Sequence, residues 1–172
     1  MNCEHIGPDR WRLAFSEAEA AFVINVLARL ARHYEEDPSQ WSPALRAFWQ
    51  GTIAHDEATA TDLHDARELL ADSRAELRSE RLALTENWIR EYELAEDRQP
   101  WQVEISTAER DEFVAMLNDR RLALALELGI SDTDMEAEPG QISDDARRGA
   151  ILEIDVLGHF ILVTLGPQIY RP

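Results

Sequence analysis

The densest set of potential metal ligands in this chain is His55-Asp56-Glu57, followed by His64-Asp65 and Glu68. On a helix, Glu57, Thr61, His64 and Glu68 share a face, and a His/Glu pair four residues apart can grip one ion. A bundle-type carboxylate centre needs matching ligands from other helices, and no second Glu-x-x-His occurs. Acid-rich chains produce such clusters by chance, so the set reads as a solvated helix face. A metal-dependent enzyme built on His55, Glu57, His64 and Glu68 is the alternative. Cys3 lies between Asn2 and Glu4, and the adjacent acid works against a reactive thiolate. Ser16 and Ser106 are better read as helix caps than as nucleophiles, because a glutamate follows each by three residues. No Gly-rich phosphate loop, Cys-x-x-Cys or His-Glu-x-x-His is present. No catalytic residue, cofactor or metal is assigned.

Two charged residues interrupt apolar stripes. Arg121 falls among Val114, Leu117, Leu124 and Leu128, and Asp155 falls among Ile151, Ile154 and Leu162. A buried charge without a partner costs several kcal/mol. Arg121 is therefore expected to pair with Asp155, with Asn118 adding hydrogen bonds one turn earlier, as a structural polar cluster. The competing reading lets Arg121 reach solvent along the helix flank.

The elements that would position these residues follow from a repeated phrase. Trp11-Arg12-Leu13-Ala14-Phe15-Ser16-Glu17-Ala18-Glu19 recurs as Trp101-Gln102-Val103-Glu104-Ile105-Ser106-Thr107-Ala108-Glu109. Each copy alternates apolar and polar residues, then closes on a capping box, which predicts a short strand feeding a helix. The spacing of apolar residues predicts helices over 17–36, near 43–50, over 57–96, 107–128 and 143–165. In the long central stretch Leu63, Leu70, Leu77 and Leu84 recur every seven residues, and Thr85 could cap a second segment there. Residues 1–9 read as a short flexible N-terminus and 131–142 as an acidic loop. The expected fold is mainly α: one helical bundle with a small two-stranded sheet formed near 11–15 and 101–105.

Composition narrows the function classes. The net charge is −17, from 34 acidic residues against 17 basic ones, every one of them arginine. Such a surface repels phosphate backbones, which disfavours direct nucleic-acid binding and favours a basic protein partner. The lack of lysine rules out Schiff-base chemistry. No apolar run approaches the roughly 20 residues that cross a bilayer, and a single cysteine excludes an internal disulfide. No membrane association and a cytoplasmic location are the resulting expectations. The apolar last helix is expected to be central or to form an oligomer face.

Val103 to Glu109, Leu117-Asn118-Asp119-Arg120-Arg121-Leu122-Ala123-Leu124 and Leu128-Gly129-Ile130 together resemble a bacterial family of mostly uncharacterised proteins. One branch of it is the oxidative-stress regulator AosR. The segment Arg12 to Leu30 resembles the same family's first strand and helix. The resemblance implies an α-helical cytosolic protein and, for the regulator branch, an influence on redox-responsive transcription exerted through the transcription machinery. A thiol switch within one chain needs two cysteines, and Cys3 stands alone. The resulting expectation is a non-enzymatic, acidic protein-interaction domain. A self-assembling structural protein is a further alternative.

Overall fold

The computed structural model describes residues 1–50, 60–95, 100–137 and 142–169, with side chains described for 1–49, 70–95, 100–137 and 142–166. The order is β1 (Asn2–Gly7), β2 (Arg10–Phe15), α1 (Glu17–Glu35), a 3-10 turn (Pro38–Gln40), α2 (Pro43–Gln50), α3 (Ala60–Leu94), β3 (Trp101–Ser106), α4 (Thr107–Leu128), α5 (Asp132–Glu136) and α6 (Asp145–Ile169). The fold is mainly α-helical, as the sequence indicates.

The two copies of the repeat pair antiparallel as β2 and β3, with Trp11 opposite Ile105, Leu13 opposite Val103 and Phe15 opposite Trp101. These six side chains share one buried face, as the two-residue period requires. The other face is polar: Glu104 accepts from Arg10 and, at 2.9 Å, from Arg12, its cross-strand partner. Each strand runs directly into its helix through the predicted cap. Ser106 Oγ accepts from the Glu109 N–H at 3.2 Å, and the Glu109 carboxylate accepts from the Ser106 N–H at 2.7 Å; Ser16 and Glu19 repeat the arrangement.

The N-terminus departs from expectation. Residues 2–7 are a third strand, antiparallel to β2, so the sheet has three strands in the order β1-β2-β3. Cys3 lies opposite Leu13 on the buried face, with its Sγ 3.7 Å from the Thr164 carbonyl oxygen of α6. Backbone pairing holds β1 although its sequence offers the core little else. Burial raises the Cys3 thiol pKa, with Arg110 opposing more weakly, which makes the thiolate scarce.

The helices close over the sheet. Phe15 stacks on Trp101 at 5.1 Å between ring centres, and Phe160 of α6 meets the edges of Phe15 and Phe22. α1 packs along α3, and α4 packs along α6. α3 is continuous through Thr85, which is fully buried rather than capping a new segment; its hydroxyl donates to the Arg81 carbonyl one turn back. The innermost line of α3 is Arg81, Thr85 and Trp88, while Leu77 and Leu84 are only half-buried.

The expected acidic loop contains the short helix α5, which begins at a capping box of Ser131 and Asp134. α6 starts from Asp144, whose carboxylate accepts from the Ala146 and Arg147 N–H groups, and its backbone runs on to Ile169. By length and composition alone, Asp145–Gly166 would reach across a bilayer, contrary to the expectation that no segment would. One face of this helix (Ile151, Ile154, Leu157, Phe160) is buried in the fold.

Replacing Ser106 with alanine leaves the Glu109 N–H, a first-turn donor of α4, without its side-chain acceptor. Urea unfolding of Ser106→Ala should show a loss of about 1 kcal/mol, and Ser16→Ala a similar loss. An unchanged midpoint in both would remove the capping account.

Candidate functional site

The polar phrase Asn118-Asp119-Arg120-Arg121 lies on α4 where it faces α1, α3 and α6. Four consecutive polar residues on a helix span every direction, and the structure turns Asp119 and Arg120 inward. Asp119 accepts a hydrogen bond of 3.0 Å from the Tyr34 hydroxyl on α1 and is ion-paired with Arg81 of α3. The Arg81 Nε donates at 2.9 Å to Glu112, about two turns earlier on the same face of α4. The Arg81 and Asp119 side chains are 10% and 12% exposed, so this is a buried pair tying three helices together. One residue on, Arg120 Nε donates to Glu153 of α6 at 2.7 Å, and Arg29 of α1 donates to the other Glu153 oxygen at 3.0 Å.

Burial dominates the electrostatics. It raises the Asp119 carboxyl pKa, against the downward pull of Arg81 and the Tyr34 hydroxyl. It also raises the Tyr34 phenol, with the Asp119 charge adding to the effect. For Arg81 burial works the other way, yet Asp119, Glu112 and Tyr34 outweigh it and hold the guanidinium charged. Asp119 is thus committed to neutralising Arg81 and to accepting from Tyr34.

The expected cluster of Asn118, Arg121 and Asp155 does not form. Asn118 and Asp155 are exposed, and no ion pair or hydrogen bond joins Arg121 to Asp155 among the described residues. The half-buried Arg121 lies across Gly158, its guanidinium carbon 3.7 Å from where a Cβ on that glycine would stand. Its Nε has no hydrogen-bond partner among the described residues. The physical reason is that Asp155 keeps its hydration on the outer face of α6 and so does not need the arginine. Of the potential metal ligands, His55 and Glu57 lie outside the described residues. His64 and Glu68 fall on the α3 backbone, with their side chains outside that set. Among the described residues no group of three His, Cys, Asp or Glu side chains converges to hold a metal ion.

A second polar layer closes the far end of α1. The His33 ring stacks on Trp41 at 4.8 Å and 16°, and the Arg78 guanidinium lies 5.0 Å from the Trp41 ring centre. Burial lowers the His33 pKa from 6.5; Arg120 and Arg78 push the same way, and Glu36 opposes them.

The outer face of α6 differs in kind from these closed networks. Leu152, Asp155, Val156, His159 and Leu162 are all exposed, and at 100° per residue they fall within about one third of the helix circumference. Leu152 is 50% exposed and Leu162 63%. Leu152 and Asp155 also line a half-open cleft of about 230 Å³ between α5 and α6, together with Met135, Ile142, Arg148 and Ile151. Arg148 is held there by Asp145 and by the Ile142 carbonyl oxygen at 3.0 Å. Arg147 bonds Asp134 at 2.8 Å and the Gly129 carbonyl at 3.1 Å, fastening α5 to α6.

Removing the Asp119 carboxylate leaves the buried Arg81 with only the more exposed Glu112 as a charged partner. Asp119→Ala should cost about 3–5 kcal/mol in urea unfolding, whereas Asp155→Ala should stay within about 0.5 kcal/mol of the parent. Equal effects would contradict the assignment. His33 supplies a pH test. Its folded pKa lies below its unfolded one, so the unfolded state takes up the proton first as pH falls through 6.5 and stability drops. His33→Phe keeps the stacking on Trp41 and should lessen that drop relative to the parent; identical pH profiles would refute it.

No curated protein and no solved structure matches this chain. The family model described as a domain of unknown function, DUF2017, matches residues 1–161. That match takes in the whole sheet, the Asp119 network and most of α6, and the chain belongs to the DUF2017 family.

Proposed function

We propose that this chain is a non-enzymatic, acidic protein-contact domain. The observation that carries the reading is the outer row of α6, where Leu152, Val156 and Leu162 stay exposed on a helix whose other face is built into the core. An apolar row of this kind on a folded domain marks a surface that meets another molecule. The buried ionisable groups support the same reading, because Asp119, Arg81, Glu153 and Arg120 are bonded to one another. None is poised for acid-base work. The net charge of −17 favours a basic partner.

The regulatory reading rests on the resemblance to the family branch that includes AosR. On that reading the partners belong to the transcription machinery, and the domain acts in the cytoplasm in stress-linked gene regulation. An internal disulfide cannot be the signal, since Cys3 is the sole cysteine. Control would come through occupancy of the contact surface.

Affinity capture of the tagged chain from its native host, followed by mass spectrometry, tests this reading. RNA polymerase subunits or their associated factors should co-purify in amounts comparable to the bait. Recovery of the bait free of any transcription protein would contradict the regulatory reading.

A further inference from the structure

The acidic residues are not spread evenly. Residues 127–155 hold nine of them against two arginines, Arg147 and Arg148. Both arginines are already engaged, Arg147 by Asp134 and Arg148 by Asp145. Glu127, Asp132, Glu136 and Asp155 are exposed and have no cationic partner among the described residues. The cleft between α5 and α6 opens within this acidic zone, and its walls include Met135, Ile142, Ile151 and Leu152.

From these facts we infer that the α5–α6 cleft and the outer row of α6 form one docking groove for a basic amphipathic helix of a partner protein. The inference rests on the protein-contact reading above and deepens it by naming the surface and the chemistry of what it takes. Continuity is the first argument. Leu152 belongs to both features, and Asp155 lies on the cleft wall beside it. From Leu152 the row continues through Val156 and His159 to Leu162, about 15 Å at 1.5 Å per residue, and with the cleft from Arg148 the strip is about 21 Å long.

The second argument is complementarity. An apolar strip that carries the exposed Asp155 and lies in an acidic stretch of the chain matches a helix with leucines at three- and four-residue spacing and arginine or lysine beside them. The groove selects against other occupants. A second copy of this chain would bring a net −17 onto another −17, and an anionic lipid surface would meet the same repulsion. Arg148, the cation on the cleft wall, is neutralised by Asp145 and so does not oppose a basic helix. The leucines would supply the contact area and the carboxylates the approach rate and orientation.

The test uses the full chain, isotope-labelled for NMR, and a synthetic amphipathic peptide of about 18 residues, five helical turns. Its apolar face is leucine and its polar face arginine. A scrambled peptide of the same composition and an acidic-face counterpart serve as controls. The amphipathic basic peptide should bind and shift resonances of 132–136 and 148–162, while both controls bind at least about tenfold more weakly.

Leu152→Glu and Asp155→Arg are surface changes, and each should weaken binding about tenfold or more with an unchanged unfolding midpoint. Equal binding of the scrambled peptide would reduce the effect to general charge attraction and overturn the inference. So would shifts confined to another face, or preferential binding of anionic vesicles or of a second copy. Capturing transcription proteins equally well with the Leu152→Glu chain would sink this groove while leaving the protein-contact reading intact. Failure of the parent chain to capture any transcription protein would instead contradict the regulatory reading.

Discussion

The Asp119 carboxylate and the Arg81 guanidinium are both nearly out of water, and neither can stay there alone. Their pairing fixes α3 against α4, and the Tyr34 hydroxyl brings α1 to the same point. The carboxylate of Glu153 performs a parallel task one helical step away, joining α1 and α4 to α6 through Arg29 and Arg120. Apolar packing drives the helices together, but it is tolerant of rotation and sliding. Charge pairing is not. The two networks set the rotation of α4 and α6, and that rotation decides which side of α6 is left facing water.

The sequence made much of this legible, for identifiable reasons. The repeat around Trp11 and Trp101 carried both a two-residue period and a capping box, so strand, helix start and pairing partner could be read from one phrase. β1 could not be read that way. Its six residues place only Cys3 firmly in the core, and its backbone pairing with β2 leaves no mark in hydropathy. The central helix misled in the opposite direction. Its leucines at every seventh position suggested a seam, but the innermost positions are Arg81, Thr85 and Trp88. A polar residue facing inward is invisible to apolar periodicity until its partner is known.

The polar phrase on α4 shows the same limit. A buried arginine does need a partner, and the arginine concerned is Arg81, which sits among charged neighbours in the sequence. The choice of Arg121 and Asp155 followed the apolar stripe, whereas the inward direction of α4 at this level is set by Tyr34 and Arg81 from two distant segments. Asn118 and Asp155 are thereby left outside. That outcome has a functional side. Asp155, exposed beside Leu152 and without an ion-pair partner among the described residues, is a poor core element, and on the proposed reading it suits a basic partner.

The central claim is that the Arg81–Asp119 pair orients the helices. A double-mutant cycle with Arg81→Met and Asp119→Leu, read by urea unfolding, measures it most directly. The account predicts a coupling of about 2–3 kcal/mol, with the double variant more stable than either single one because no buried charge has lost its main partner. Effects that simply add would contradict it.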